Sequence, residues 1–179
     1  MTSTLLNIRR ALFFAMCAMT LASCGNKGTD NDAKPEGSVS SISGYNYTIE
    51  GIQEFSVNGA WGGGISIGGG GGNVCCVELP EKWTPGLSAK VSWRRTDCRG
   101  DKKIGCPERI EDLEKWPEVT TTKVIAIEPY DRPNTVQVMF LPNDEVKIYV
   151  FDAGPIHPEH QSKLGQPRPL DHPEWKPAQ

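Results

Sequence analysis

The chain has 179 residues, 37% of them hydrophobic and 23% charged, with 19 basic against 22 acidic side chains for a net charge of -3. That length suits one domain with tails, and the hydrophobic content excludes a protein with many membrane spans. A mildly acidic chain offers no electrostatic reason to bind nucleic acid, so none is expected as a partner.

The N-terminus comes first in chain order. Arg9 and Arg10 precede an apolar run over residues 11–21. This run is shorter than the ~20 residues that span a bilayer, and it has the flanks of a signal-peptide core. It ends in Leu21-Ala22-Ser23-Cys24-Gly25. This order resembles the bacterial lipobox, in which the Cys is diacylated on sulfur and becomes the new N-terminus. Residues 1–23 are thus expected as a lipoprotein signal peptide and Cys24 as the lipid attachment site. Gly25, rather than Asp, resembles outer-membrane sorting, which places the chain on the periplasmic side of a Gram-negative envelope. Residues 24–42 are polar and hold little that could be buried. They read as a lipidated, flexible tether.

The body, residues 43–155, reads as β structure. Strands are expected at Tyr45 to Glu50, Ile52 to Val57, Val74 to Leu79, Leu87 to Trp93, Lys123 to Ile127, Val136 to Leu141 and Val146 to Val150. Leu87, Ala89, Val91 and Trp93 alternate with Ser88, Lys90, Ser92 and Arg94, the period of a half-buried strand. Turn signals such as Asn58-Gly59 and Pro85-Gly86 separate the runs. The fold class expected is therefore mainly β, a small antiparallel sandwich or open barrel of about seven strands. The glycine-rich run from Trp61 to Gly72 lacks the Lys-Ser or Lys-Thr of a phosphate loop, and a strand rather than a helix follows it. It reads as a mobile connection, with Trp61 and flexible backbone as an adaptable edge for a protein partner.

Four cysteines remain after Cys17 and Cys24: Cys75, Cys76, Cys98 and Cys106. They allow three pairings. A bridge between Cys98 and Cys106 would pin a polar loop and is the pairing expected. Adjacent Cys75 and Cys76 would point to opposite faces of a strand, one thiol buried and the other half-buried, although either could pair with Cys98 or Cys106 instead. Zinc is a poor fit, because there is no Cys-x-x-Cys pair and the histidines lie far off. One short helix is expected over 107–116, opened by Pro107 and stopped by Pro117, within a charged insertion. Residues 156–179 form a Pro-rich tail, expected to be extended and weakly ordered.

No catalytic constellation assembles. His157, His160 and His172 all lie near or in the tail and read as solvated, and no nucleophile-elbow motif appears. The chain is expected not to be an enzyme, with no metal or cofactor. For a protein-binding role the exposed anchor candidates are Trp61, Arg94 and Arg95 at a strand end, and Trp116.

Several motifs together carry a resemblance. Gly44-Tyr45-Asn46, Phe55-x-Val57-Asn58-Gly59, the run Cys75-Cys76-Val77-x-Leu79-Pro80-x-x-Trp83-x-Pro85-Gly86, Val91-x-Trp93 and Phe140-Leu141-Pro142-Asn143 occur in order. Residues 43–155 in this respect resemble the domain of unknown function 3304. The resemblance implies a small bacterial lipoprotein, and some such proteins resemble immunity proteins of type VI secretion lipase effectors. Two functions are therefore expected to compete. One is a periplasm-facing lipoprotein that binds and neutralises a secreted phospholipase effector. The alternative is a non-enzymatic envelope-maintenance lipoprotein that binds a resident envelope component.

Overall fold

A computed structural model of the chain describes residues 37–97 and 118–170. Eight strands lie among the described residues. They are β1 (Gly37–Asn46), β2 (Ile52–Val57), β3 (Ala60–Ile65), β4 (Gly70–Pro80), β5 (Ser88–Thr96), β6 (Glu118–Ala126), β7 (Val136–Leu141) and β8 (Glu145–Val150). A single 3-10 turn, Pro142–Asp144, joins the last two. The first sheet has the order β4-β1-β7-β8 and the second β3-β2-β5-β6. The expected mainly β sandwich or open barrel is thus found. One pairing departs from the antiparallel expectation, because β1 and β7 run parallel with Ile42 opposite Val136. Parallel neighbours need a long crossover, and here the whole second sheet lies within it.

The two sheets enclose one core. Val91, Ala89 and Trp93 point inward from β5, as their alternation requires, and meet Phe55, Val138, Phe140 and Ile148. Phe140 packs edge-on to Phe55 at 5.3 Å and tilts against Trp93 at 5.8 Å. Asn58 and Gly59 take φ values of 51° and 88°, the left-handed pair that a two-residue hairpin between β2 and β3 demands.

The glycine-rich run proves to be structure rather than a mobile connection. It supplies β3 and the start of β4. Phe55 explains two of the chain's glycines, since a Cβ at Gly44 or at Gly62 would overlap its ring. The ring fits in the slot between strands of opposite sheets because neither has a side chain there.

Both boundaries of β1 also move. Strand β1 begins at Gly37, inside the segment expected as tether. It stops at Asn46, whereas a strand was expected from Tyr45 through Glu50. The Asn46 side chain ends it: its oxygen accepts from the Thr48 backbone N–H at 2.9 Å, and its amide donates to the Glu50 carbonyl at 2.7 Å. Those bonds close a local turn that competes with the sheet ladder.

The largest correction lies at the C-terminal end. Residues 156–170 were expected to be extended and weakly ordered. They instead cover the outer face of the first sheet, where Tyr45, Tyr47, Met139, Leu141 and Tyr149 form a second buried cluster with Leu164 against it. Tyr47 donates its hydroxyl to the Gly165 carbonyl at 2.8 Å, and the Leu170 N–H donates to the Tyr47 carbonyl at 3.0 Å. With both faces covered, every residue of β7 is buried.

Candidate functional site

The second sheet leaves its outer face open. On β3, Gly62 faces the core beside Phe55, so its neighbour Trp61 stands on the opposite side. Register then builds a row across four strands: Trp61 opposite Ser56, Ser56 opposite Ser92, and Ser92 opposite Thr122. Thr122 donates its hydroxyl to Ser92 at 3.0 Å. The indole is 59% exposed, and its outer edge reaches toward Gly63, which has no side chain to cover it. An indole that rises from a floor of short hydroxyl side chains offers apolar area together with one N–H donor.

Charged and apolar residues frame that row. Arg94 pairs with Glu54 at 3.3 Å and with Glu118 at 2.5 Å, and it lies on the same face as Trp61. Beyond the row, Lys90 stands opposite Val124, which is 73% exposed. The structure therefore brings two of the four anchor candidates, Trp61 and Arg94, onto one surface. Arg94 is already neutralised by two carboxylates, and exposed pairs of this kind contribute little to stability.

Arg95 does not join them. It was expected to be exposed at a strand end, yet it is 7% exposed and faces inward. Its Nε donates to Asp144 at 3.0 Å, while Nη1 lies 3.0 Å from Glu50 and 3.5 Å from Asp97. The Nη1–Glu50 contact is an ion pair without hydrogen-bond alignment. Arg95 thus ties the end of β5 to the turn after β1 and the turn before β8. The continuing alternation from Leu87 to Trp93 places 95 on the core side, and that signal is present in the sequence. The cleft beside Arg95 measures about 60 Å³. At roughly 10–15 Å³ per water it holds a few waters, far below the ~300–1,000 Å³ typical of ligand sites.

The cysteines and histidines also differ from expectation. Cys75 is exposed, Cys76 is half-buried, and the two are bonded to each other, so neither is the buried thiol expected there. His160 was expected to be solvated but is fully buried, while His157 is exposed. Among the described residues no group of three or more His, Cys, Asp or Glu could hold a metal ion. Cys24, Cys98, Cys106, Trp116 and the helix expected over 107–116 lie outside the described residues.

The run from Cys75 to Gly86 serves packing. Val77 and Leu79 enter the core, and Trp83 donates its indole N–H to the Ile127 carbonyl at 2.8 Å. Tyr130 returns the clasp with a hydroxyl bond to the Pro80 carbonyl at 2.7 Å. Residues 45–148 match the family model described as "Protein of unknown function (DUF3304)". No match was found among curated proteins or among solved structures.

Proposed function

The chain belongs to the DUF3304 family, and from that membership we propose that it is a non-enzymatic immunity lipoprotein of the Gram-negative envelope. In this reading Cys24 anchors it to the outer membrane and the β domain faces the periplasm. There it binds and neutralises a phospholipase effector delivered by a type VI secretion system. The lipobox Leu21-Ala22-Ser23-Cys24 and the family resemblance support the anchor and the setting.

The observation that carries the binding role is Trp61. An exposed indole normally costs solubility, and large apolar patches on a monomer surface mark contact sites. Here it stands on a rigid sheet, framed by short hydroxyl side chains and a charged Glu54–Arg94–Glu118 rim. Aromatic centre with polar rim is the arrangement of a binding hot spot. A strand-borne anchor also loses little conformational freedom on binding.

Co-expression tests the reading. Cells producing a type VI lipase effector, taken from the neighbouring gene where one is found there, should survive when the full chain is present. Survival should fall with Trp61→Ala while the circular dichroism spectrum stays unchanged. Killing that continues in the presence of well-folded wild type would reject the immunity role.

A further inference from the structure

At the centre of the segment over residues 154–170 a buried imidazole ties it to the first sheet. His160 is fully buried, with its ring 5.5 Å from Tyr149 and 5.3 Å from Phe151, each edge to face. Gln137 reaches it from β7. The Gln137 amide nitrogen donates to the carbonyls of Phe151 at 3.1 Å and Ala153 at 2.8 Å. Carbonyls only accept, so these two bonds fix which end of the amide is nitrogen and turn Oε1 toward the imidazole at 3.1 Å. An amide oxygen cannot donate, so Nε2 of His160 carries the proton. Nδ1 is then bare and accepts the Ser162 backbone N–H at 3.1 Å. The Ser162 hydroxyl lies 2.8 Å from the same nitrogen. The network is complete for a neutral ring.

We propose that this neutral imidazole makes residues 154–170 an acid-labile strap, which lifts from the sheet when Nδ1 is protonated and uncovers the Tyr45, Tyr47, Met139, Leu141 and Tyr149 face. A proton on Nδ1 would meet the Ser162 N–H head on, and a backbone N–H has no acceptor to offer in exchange. The Ser162 hydroxyl, which already receives the Leu164 N–H at 3.3 Å, would have to turn its hydrogen away and take the new proton on its second lone pair. No neighbour offsets the new charge strongly. Burial opposes the new charge most, and from within the strap Lys163 and His157 act in the same direction. From β8, Tyr149 stays protonated because burial raises it, and Gln137 and Phe151 are uncharged. The other holds on the strap are Leu164, the buried Pro155, Pro167 and Pro169, the two bonds with Tyr47 and the Gln161 amide bond to the Pro129 carbonyl at 2.8 Å, and none of them answers a charge on the ring. The surface released is tyrosine-rich and apolar, distinct from the Trp61 face and independent of any role for it.

Hydrogen–deuterium exchange on the full chain, corrected for intrinsic rates, reads the strap directly. Between about pH 7.5 and about pH 5, peptides from 154–170 should lose protection at least tenfold more than those of β2 and β5. The His160 imidazole, followed by NMR, should titrate below the ordinary ~6.5 with a midpoint matching the opening. His157→Gln, at an exposed site, should leave the acid response intact. Strap protection that does not change, loss spread evenly over both sheets, or a response abolished by His157→Gln would overturn the proposal.

Discussion

The ring of Phe55 lies against Gly62 so closely that a single added methyl at 62 would overlap it. The same ring abuts Gly44 from the other sheet. The chain therefore uses bare backbone on both sides to seat one large aromatic in the centre of its core.

Gly62→Ala is expected to destabilise the domain by roughly 1–3 kcal/mol, the usual cost of overpacking a filled core. Phe55→Leu introduced with it should recover part of the loss, because the smaller side chain vacates the slot. Urea unfolding of the two variants measures both effects. A Gly62→Ala protein as stable as wild type would show that the ring has room to move.

The adjacent arginines should behave in opposite ways. Arg95→Leu removes the buried guanidinium shared by Glu50, Asp97 and Asp144, and taking one partner out of a buried ion pair costs up to about 3–5 kcal/mol. Arg94→Leu removes only exposed pairs and should leave stability close to that of the wild type. Chemical denaturation of both variants in parallel checks the contrast. Equal losses would place Arg95 in solvent.

The buried histidine sets a pH dependence whose sign is fixed. Burial, followed by Lys163 and His157, holds His160 below its ordinary value in the folded chain. The unfolded chain takes up its proton near pH 6.5, whereas the folded chain takes it up only at lower pH. Stability is therefore full above about pH 6.5 and falls as the pH drops through the window beneath it. Unfolding free energies at a series of pH values should show this decline. A profile that rises on acidification across that window contradicts the burial of a neutral ring.

Acylation can be tested without the fold. Radiolabelled palmitate should enter the wild-type chain and not Cys24→Ala, because the thiol carries the lipid. Equal label in both variants would remove the membrane anchor from the proposed function.

Alternation of hydrophobic and polar residues makes the strands from Leu87 to Trp93 and Val146 to Val150 legible from residue order alone, and the β-branched run from Val136 to Leu141 does the same for β7. The alternation also contains the burial of Arg95, two residues beyond Trp93 on the same face. Strand β1 is less legible because its first half is Gly-Ser-Val-Ser-Ser, residues that look like linker until β4 covers one of its sides. The glycine run misleads for a related reason. Its composition reports freedom of the backbone, which Gly63, Gly68, Gly71 and Gly72 use at positive φ, but at Gly62 the need is for space beside Phe55. The strap is invisible to periodicity, since a Pro-rich segment held by single side chains has none. His160 looks solvated because nothing near it in sequence announces Gln137, 23 residues earlier. On the candidate site, Trp61 is legible as a lone aromatic beside glycines, but its hydroxyl floor depends on register across four strands.

The parallel pairing of β1 with β7 bears on the order in which the chain can fold. Ser41 and Thr135 meet at that seam across 94 residues, so the first sheet cannot gain its centre until nearly the whole domain is present. The second sheet draws all its strands from residues 52–126 and is topologically free to assemble earlier. Loop closure over so long a stretch must be met before the β1–β7 contacts return any energy, which makes this step a natural bottleneck. A chain emerging from its N-terminus would therefore carry β1 with one edge paired to β4 and the other open, until Leu141 arrives to complete β7. That interval is when β1 is most open to pairing with another nascent chain, and its glycines and serines, poor in apolar surface, are well suited to waiting.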